Sequence, residues 1–195
     1  MTYDKLVDEK VLSKTVDALK LNGFSVDIVN NSSEARKKIL EIIPRDAELM
    51  TMSSQTLIES GILNELDMFV NNAKKMFGKL DDKSKRKLGA SPDWTIGSVH
   101  AITQDGKIVV ASATGSQLPA YAYASPNVVF VVGTQKIVKD LDDAFKRINE
   151  YVLPLEDARA MKAYGMHSSV NKLLIINKEF MPRVKIIFVK EKLGF

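Results

Sequence analysis

DWTIGSVHAITQDGKIVVASATGSQLPAYAYASPNVVFVVGT, residues 93–134, is the stretch that decides the predicted fold. Its first half contains two β-rich runs, 95–103 and 107–113, on either side of Asp105-Gly106. An Asp-Gly pair between such runs is the strongest short-range signal for a β-hairpin, because both turn residues tolerate positive φ. The stretch therefore predicts a hairpin at its start.

The second half predicts a helix between two strands. A glycine-containing loop, 113–117, leads to a predicted helix over 118–124, which Thr114 or Ser116 can cap. The apolar run 127–133 then predicts a buried strand. A β–loop–helix–β order of this kind is the basic module of a parallel sheet.

The rest of the chain continues this alternation. Helices are predicted over 4–22, 31–43, 55–60, 62–77, 140–151 and 155–163, and strands over 24–29, 48–52, 170–177 and 184–190. This order predicts an α/β fold with a mainly parallel sheet flanked by helices. The lysine-rich segment 78–92 has no apolar stripe and predicts a solvated, mobile connection. We expect 1–91 to form a helix-rich N-terminal portion with two strands that completes the fold, and 92–195 to form the central α/β core, together as one structural unit.

Composition excludes several classes of function. The 195 residues contain no cysteine, which excludes disulfides, cysteine-ligated iron–sulfur clusters and a cysteine nucleophile. Only two histidines are present, so we expect no metal site. The net charge of +4 is too small to predict nucleic-acid binding, and the basic residues of 79–87 lack interleaved aromatic residues. With no apolar run of bilayer length and no signal peptide, we expect a cytoplasmic protein that does not bind membranes.

The glycine-containing loop is the first candidate ligand site. It presents Thr114, Gly115, Ser116 and Gln117, whose backbone amides and hydroxyls can hold a phosphate or carboxylate near a helix N-terminus. In the alternative interpretation, Gly115 only permits a tight turn and Ser116 only caps the helix. The sequence TGSQ matches neither the Walker A motif nor G-x-G-x-x-G, so both interpretations stay open.

A second group of candidates follows the predicted strand 127–133. Gly133, Thr134 and Lys136 come directly after it, where α/β proteins with parallel sheets have their ligand-binding crevice. Lys136 can neutralise a phosphate or carboxylate there, or it can be a solvated loop lysine.

Four further residues complete the predicted site. Glu59 can act as a general base or nucleophile, or it can be an exposed helix glutamate. His100 can carry a proton or contact the ligand, or it can be buried and hydrogen-bonded to the backbone. Asn171 and Lys172, at the start of a predicted strand, can supply a hydrogen-bond donor and a positive charge.

Seven segments of the sequence carry a resemblance to a known family. They are SSQTLIESGI (53–62), WTIGSVHAIT (94–103), ASATGSQLPAYAY (111–123), VVFVVGTQKIVKDLDDAFKRI (128–148), YVLPLEDARA (151–160), SSVNKLLIIN (168–177) and IIFVKEKLGF (186–195). In this order and spacing they are similar to the LUD-domain family, which is named for lactate utilisation and was formerly a domain of unknown function. The resemblance covers most of the chain from residue 53 onward.

The resemblance implies a fold similar to that of ribose-5-phosphate isomerase, CoA transferases and formyltetrahydrofolate cyclo-ligase. It implies a protein of undefined reaction that binds an anionic small metabolite (a carboxylate, a phosphate or a nucleotide or CoA-like molecule) and serves lactate or organic-acid utilisation. The best-known members work beside iron–sulfur subunits, so the alternative is a non-catalytic partner subunit of an iron–sulfur lactate oxidation system. We expect no iron–sulfur cluster in this chain, and its other cofactors are unknown. The fold is compatible with a homodimer, which the sequence does not establish.

Overall fold

The computed structural model describes residues 3–69 and 71–195. The α-helices are α1 Glu9–Leu21, α2 Ser32–Ile42, α3 Gln55–Glu59, α4 Ile62–Leu66, α5 Ala73–Met76, α6 Asp82–Ala90, α7 Leu141–Lys146 and α8 Leu153–Tyr164. The strands are β1 Ser25–Val29, β2 Leu49–Thr51, β3 Trp94–Gly97, β4 Ala101–Thr103, β5 Ile108–Ser112, β6 Asn127–Gly133, β7 Ile137–Val138, β8 Lys172–Ile176 and β9 Val184–Val189. Two 3₁₀ turns, Phe77–Lys79 and Thr134–Lys136, and two π-helical turns, Ala120–Ala124 and Arg147–Val152, complete the described elements.

The larger sheet is fully parallel and has the strand order β1-β9-β6-β3-β2. Its central strand β6 is buried on both faces, which explains the uninterrupted apolar run of its sequence. Strands β1 and β2 come from residues 1–91, whereas β3, β6 and β9 come from residues 92–195. Both portions of the chain therefore build the same sheet.

The smaller sheet corrects the predicted hairpin. Its order is β7-β4-β5-β8, with β4 antiparallel to β5 and parallel to β7. The Asp-Gly turn does join two antiparallel strands, since Ala101 pairs with Val109. However, the predicted first strand, 95–103, divides at 98–100: its first part belongs to the larger sheet and its second part to the smaller one. The predicted β–loop–helix–β module is likewise wrong, because β5 and β6 lie in different sheets.

Three apolar clusters arrange the molecule in layers. The first fills the space between the two sheets and includes the inward side of α1, Ile108 and Val110 of β5, and Phe130 of β6. The second lies on the opposite face of the larger sheet, under α2, α3 and α4. The third joins the outer face of the smaller sheet to α7 and the π-helical turn after it, through residues such as Val109, Ala144 and Ile148. The alternation of inward and outward residues along β5 shows that the smaller sheet is covered on both faces.

The capping predictions have mixed outcomes. Asn31 caps α2, because its Oδ1 accepts a hydrogen bond from the Glu34 amide at 3.0 Å, and Asp140 caps α7 in the same way. Ser54 precedes α3 but makes no side-chain capping bond. The predicted helix over 118–124 is present, with residues 118–119 α-helical and Ala120–Ala124 in a π-helical turn. The Thr114 and Ser116 hydroxyls bond to each other instead of capping it.

Further helix predictions differ from the structure. Helix α1 begins at Glu9 rather than at residue 4, and Asp8 caps it. The predicted helix 62–77 is divided into α4, which ends at Leu66, and the short α5, Ala73–Met76; between them Asn72 forms a bridge with Leu49 of β2.

The charged segment 78–92 is solvated, as predicted, but it contains a helix that was not predicted: α6, which Asp81 caps and which buries no residue. Lysine and arginine are good helix formers, so a helix forms there without an apolar stripe. Pro154 does not separate two helices, because the helical backbone runs without a break from Leu141 through the π-helical turn to Tyr164.

Among the described residues, no helix combines the length and the hydrophobicity that crossing a bilayer requires.

Candidate functional site

Two neighbouring strands of the larger sheet end side by side and continue into the smaller sheet. Strand β3 ends at Gly97 and the chain crosses over 98–100 to β4, whereas β6 ends at Gly133 and crosses over Thr134–Lys136 to β7. Strand β3 pairs with β6 and β4 pairs with β7, both in parallel, so the two crossings are adjacent. They lie at the carboxyl ends of parallel strands, the edge at which α/β proteins bind ligands.

Lys136 lies buried between these crossings, with 3% of its surface exposed. Its Nζ donates to Thr56 Oγ1 at 2.8 Å, to Ser98 Oγ at 3.2 Å and to the Val99 carbonyl at 3.1 Å. All three partners are neutral oxygens. The alternative of a solvated loop lysine is therefore wrong, and the amine is an interior group of the site.

The electrostatic surroundings disfavour the charged form of this amine. Burial, and secondly the positive charge of Arg147, lower the pKa of Lys136 from its ordinary 10.5 to about 7, while Glu59 acts in the opposite direction. A lysine with such a pKa is present in both protonation states near neutral pH. Lysines of this kind serve as bases and nucleophiles in enzymes.

The C-terminal segment holds α3 against the crossings. Thr56 Oγ1 donates to the Leu193 carbonyl at 3.2 Å, and Gln135 Nε2 donates to the same oxygen at 2.9 Å. The backbone amide of Gly194 donates to Glu59 Oε2 at 2.6 Å. Glu59 is exposed at the end of α3 and fastens this segment. Its role as a general base or nucleophile stays a prediction.

Arg147 is the second buried cation of the site. Its side chain is completely buried in the π-helical turn, and Nη1 donates to the His100 carbonyl at 2.5 Å. The guanidinium carbon lies 5.4 Å from the centre of the Tyr151 ring. Nε and Nη2 are buried and have no hydrogen-bond partner. Burial lowers the pKa of Arg147 to about 10, against the opposing effects of Tyr151, Tyr3 and Asp143, so the group stays charged at neutral pH.

The two buried cations have no close counter-charge in the part of the chain that the structure describes. Within residues 3–69 and 71–195, every ion pair with a nitrogen–oxygen distance of 4.0 Å or less involves residues other than Lys136 and Arg147. Buried charges in proteins are ordinarily paired. The site therefore has an excess of positive charge in a region of low dielectric constant.

A surface cavity opens against the second crossing. Its volume is about 340 Å³, and its walls are Tyr3, Lys5, Val7, Gln135, Ile137, Val138 and Asp143. Gln135 and Ile137 are the chain neighbours of Lys136, and Tyr3 and Asp143 raise the pKa of Arg147 against the effect of burial. The Tyr3 hydroxyl donates to Asp143 Oδ1 at 2.8 Å and so ties the N-terminal segment to this wall.

His100 is the last residue of the first crossing, and its ring is hydrogen-bonded to β5 of the smaller sheet. Its Nδ1 accepts a hydrogen bond from the Ala111 amide at 3.1 Å, so the neutral ring carries its proton on Nε2. Burial, and then the charges of Lys136 and Arg147, lower the pKa of His100 to about 3. The ring is therefore neutral at physiological pH. This arrangement matches the interpretation of a histidine bonded to the backbone rather than of a proton carrier near pH 7.

The glycine-containing loop lies at the end of β5, apart from the crossings in the hydrogen-bond network. The Gly115 amide donates to Ser112 Oγ at 2.8 Å, and the Ser116 amide faces Thr114 Oγ1 at 3.3 Å. Ser112 Oγ in turn donates to Gln117 Oε1 at 3.1 Å. Two amides that the sequence suggested for a ligand are thus used inside the loop. Ligand binding by this loop stays a prediction.

Asn171 and Lys172 do lie beside this loop, as the sequence suggested. Asn171 Nδ2 donates to the Ala113 carbonyl at 3.2 Å. Gly115 has φ +83°, and a Cβ placed on it would come within 2.5 Å of Lys172 Cδ. The eleven predicted residues therefore form two groups. The first lies at the crossings and comprises Glu59, His100, Gly133, Thr134 and Lys136. The second lies around the loop and comprises Thr114, Gly115, Ser116, Gln117, Asn171 and Lys172.

Comparison with known proteins identifies the family. The profile of the LUD domain matches residues 12–172. The chain belongs to the LUD-domain family. A solved structure, that of a DUF162 family protein from Deinococcus radiodurans, aligns with a TM-score of 0.60 at 14% identity, covering 95% of this chain and 99% of that chain. At this identity the likeness shows the fold, and it agrees with the α/β architecture with a mostly parallel central sheet. No curated protein matches the chain.

Three residues of this LUD domain site were not among the sequence candidates. Thr56 and Ser98 contact Lys136, and Arg147 forms the second cation. Arg147 could have been suspected, because it lies three residues after the inward Ala144 on an amphipathic helix. Ser98 follows the last residue of β3, but the β-rich pattern of the sequence continues past it to residue 103. The sequence therefore does not indicate that the chain changes sheet at Ser98.

Proposed function

We propose that this LUD-domain protein binds a small anionic metabolite at the two crossings between its sheets. The observation that carries the proposal is the pair of buried cations, Lys136 and Arg147, without a carboxylate within 4.0 Å among the described residues. An anion bound by the Arg147 guanidinium would supply the missing counter-charge.

The chemistry of the two cations supports a carboxylate or phosphate group. Removing a charge from water costs several kcal/mol, by order of magnitude, unless a partner compensates for it. Arg147 has two buried N–H groups, on Nε and Nη2, that face no acceptor. These two donors belong to the edge of the guanidinium that binds carboxylates and phosphates through two parallel hydrogen bonds.

The cavity favours a small ligand within that class. Its volume of about 340 Å³ is near the lower end of the range for small-molecule sites. A short-chain hydroxy or oxo acid fits such a volume, whereas a whole nucleotide or CoA molecule would extend out of it. Neither Lys136 nor Arg147 lines this cavity, so its volume bears only on the space beside the second crossing. We include the utilisation of lactate or a related organic acid in the proposal because such acids belong to this size class, with the reaction itself undefined.

Calorimetric titration and thermal-shift measurements test the proposal. Lactate, pyruvate, inorganic phosphate, acetyl phosphate, ATP and CoA form the panel. A ligand that binds only the folded protein raises the melting temperature as its concentration increases. We expect Arg147→Lys to weaken binding about tenfold or more, because lysine cannot offer two parallel donors. The matched control is Arg159→Lys, at a surface arginine that pairs with Glu156, and it should bind like the wild type.

Two results would contradict the anion site. One is the absence of any ligand-dependent shift across the panel with well-folded protein. The other is binding that survives in Arg147→Lys but disappears in Gly115→Val, which would locate the ligand at the loop of β5 instead.

A partner-subunit role is the second candidate, and an exposed apolar surface favours it. Phe180 and Met181 are exposed, and so is Tyr123. Arg183 contacts the residues beside them, because its Nη2 donates to the Ala122 carbonyl and to the Glu179 carboxylate. Coexpression with iron–sulfur subunits, with and without Phe180→Ser, tests this role: a complex that forms equally well with both variants would argue against this surface.

A further inference from the structure

Among the hydrogen-bond partners of Lys136, Ser98 is placed so that its hydroxyl could act as a nucleophile. It follows the last residue of β3, and its side chain is partly exposed, whereas Lys136 is buried behind it. The distance of 3.2 Å between Ser98 Oγ and Lys136 Nζ is a hydrogen-bonding distance. A nucleophile and a base within such reach, with the base oriented by a third group, are the recurring arrangement of nucleophilic catalysis.

The hydrogen bonds around Nζ determine how a neutral amine would be oriented. The Thr56 hydroxyl gives its proton to the Leu193 carbonyl, so Thr56 Oγ1 can only accept from Lys136. The Val99 carbonyl can also only accept. A neutral amine has two N–H groups and one lone pair. When the two N–H groups point to Thr56 and Val99, the lone pair is left for the hydroxyl proton of Ser98.

We infer that Ser98 and Lys136 form a nucleophile–base pair that transfers or hydrolyses the acyl group of an anionic ester, thioester or acyl phosphate. The anionic character of this substrate rests on the function proposed above, with Arg147 binding its carboxylate or phosphate. The pairing of Ser98 with Lys136 rests on the hydrogen-bond geometry alone.

The reaction consists of two acyl transfers without any change of oxidation state. Ser98 Oγ attacks the carbonyl carbon, and its proton passes to Lys136 Nζ. The bond from the carbonyl carbon to the leaving oxygen or sulfur then breaks, and the Lys136 ammonium returns the proton to the leaving group. Water attacks the acyl-Ser98 ester by the same proton transfers, releases the carboxylic acid and restores the hydroxyl.

The charged groups around Lys136 set the pH dependence of the first step. Arg147 and His100 lie on the side of the smaller sheet, and Glu59 lies on the side of α3. His100 stays neutral and Arg147 stays charged near neutral pH, so the titration of Lys136 dominates the profile. With a pKa of about 7, the neutral fraction rises about tenfold per pH unit below that value and then levels off.

Acylation by p-nitrophenyl acetate tests the pair in the full-length protein. We expect a burst of p-nitrophenolate, an acetyl group on Ser98 in the mass spectrum of peptides, and a rate that levels off above about pH 8. Ser98→Ala should abolish the burst. Lys136→Arg should reduce it about a hundredfold or more, because arginine keeps its proton in proteins. The control variants Ser91→Ala and Lys139→Arg, both at exposed positions, should retain the wild-type rate.

The outcomes separate this inference from the anion site. Ser98→Ala and Lys136→Arg keep the positive charges, so both should still bind the anion found in the calorimetric panel. No acetyl-Ser98 in folded wild-type protein between about pH 6 and pH 9 would overturn the pair, even if anions bind. A pH-independent rate would overturn the role of Lys136, and this readout does not depend on whether Lys136→Arg folds. Acylation of Ser98 without anion binding would refute only the proposed function.

Discussion

Replacing the buried lysine should change how the stability of the protein depends on pH. The pKa of Lys136 falls from 10.5 in the unfolded chain to about 7 in the folded protein. Between these values the unfolded chain binds more protons, so the free energy of unfolding of the wild type rises with pH. The cost of burying this amine is therefore greatest below pH 7 and decreases as the pH approaches 10.5.

The size of the effect follows from the two pKa values. At 1.36 kcal/mol per pKa unit, the cost is about 5 kcal/mol at pH 6 and about 2 kcal/mol at pH 9. Lys136→Met removes this pH-dependent cost but leaves three acceptor oxygens without their donor. The lost hydrogen bonds cost a roughly constant 1–3 kcal/mol at every pH. We therefore expect the free-energy difference between Lys136→Met and the wild type to shift by about 3 kcal/mol, in favour of the wild type, from pH 6 to pH 9.

Urea unfolding followed by circular dichroism at a series of pH values measures this difference. The comparison of two variants cancels the titration of every other group that the substitution leaves unchanged. Lys139→Met, at an exposed lysine, is the matched control, and its curve should run parallel to that of the wild type. If the Lys136→Met curve also runs parallel to the wild type within about 0.5 kcal/mol, the pKa of Lys136 is not lowered and the argument for a buried, partly neutral amine fails.

Three further perturbations have defined outcomes. Gly97→Ala places a Cβ within 1.8 Å of the Tyr121 hydroxyl oxygen and should lower the free energy of unfolding by about 1–3 kcal/mol. The additional substitution Tyr121→Phe removes that oxygen and should restore part of the lost stability. In the control Gly78→Ala, the new Cβ has no atom within 4 Å, so this variant should be as stable as the wild type. Asp140→Ala removes the cap of α7 and should cost about 1 kcal/mol in urea unfolding, and no loss would show that the cap is dispensable. The ¹⁵N chemical shifts of His100 should show a neutral ring with its proton on Nε2 down to about pH 5, because its pKa lies near 3; titration near pH 6.5 would contradict its burial beside two cations.

Local signals were sufficient for the elements that the sequence predicted correctly. The runs 127–133 and 184–190 form central strands β6 and β9, because a strand buried on both faces is apolar along nearly its whole length. The pair Asn31 and Glu34 located the start of α2, since a cap depends only on residues of the same turn. Lys136 was a candidate because it follows β6, a position defined by sequence distance alone.

The partition of strands between two sheets was beyond local signals. Residues 95–103 keep a continuous β pattern, although the chain changes sheet at 98–100. The change is imposed by partners far along the chain: β3 pairs with β6, and β4 pairs with β7. Arg147 was overlooked for the same reason, because an arginine on an amphipathic helix is usually solvated. Its burial requires the smaller sheet to cover it, which only the assembled fold shows.

The two crossings, which could not be predicted from the sequence, explain why the candidate site lies between the two sheets. A chain that passes from one sheet to another leaves the hydrogen-bond ladder of the first before it joins that of the second. Ser98 and Lys136 belong to two such passages, and the parallel pairing on both sides holds the passages in fixed register. Their side chains can therefore lie beside each other without either residue belonging to a strand. The register of β3, β6, β4 and β7 holds Ser98 and Lys136 in contact. Substitutions at Gly97, or substitutions that weaken the pairing of β7 with β4, should therefore lower the rate of Ser98 acylation even in variants that remain folded.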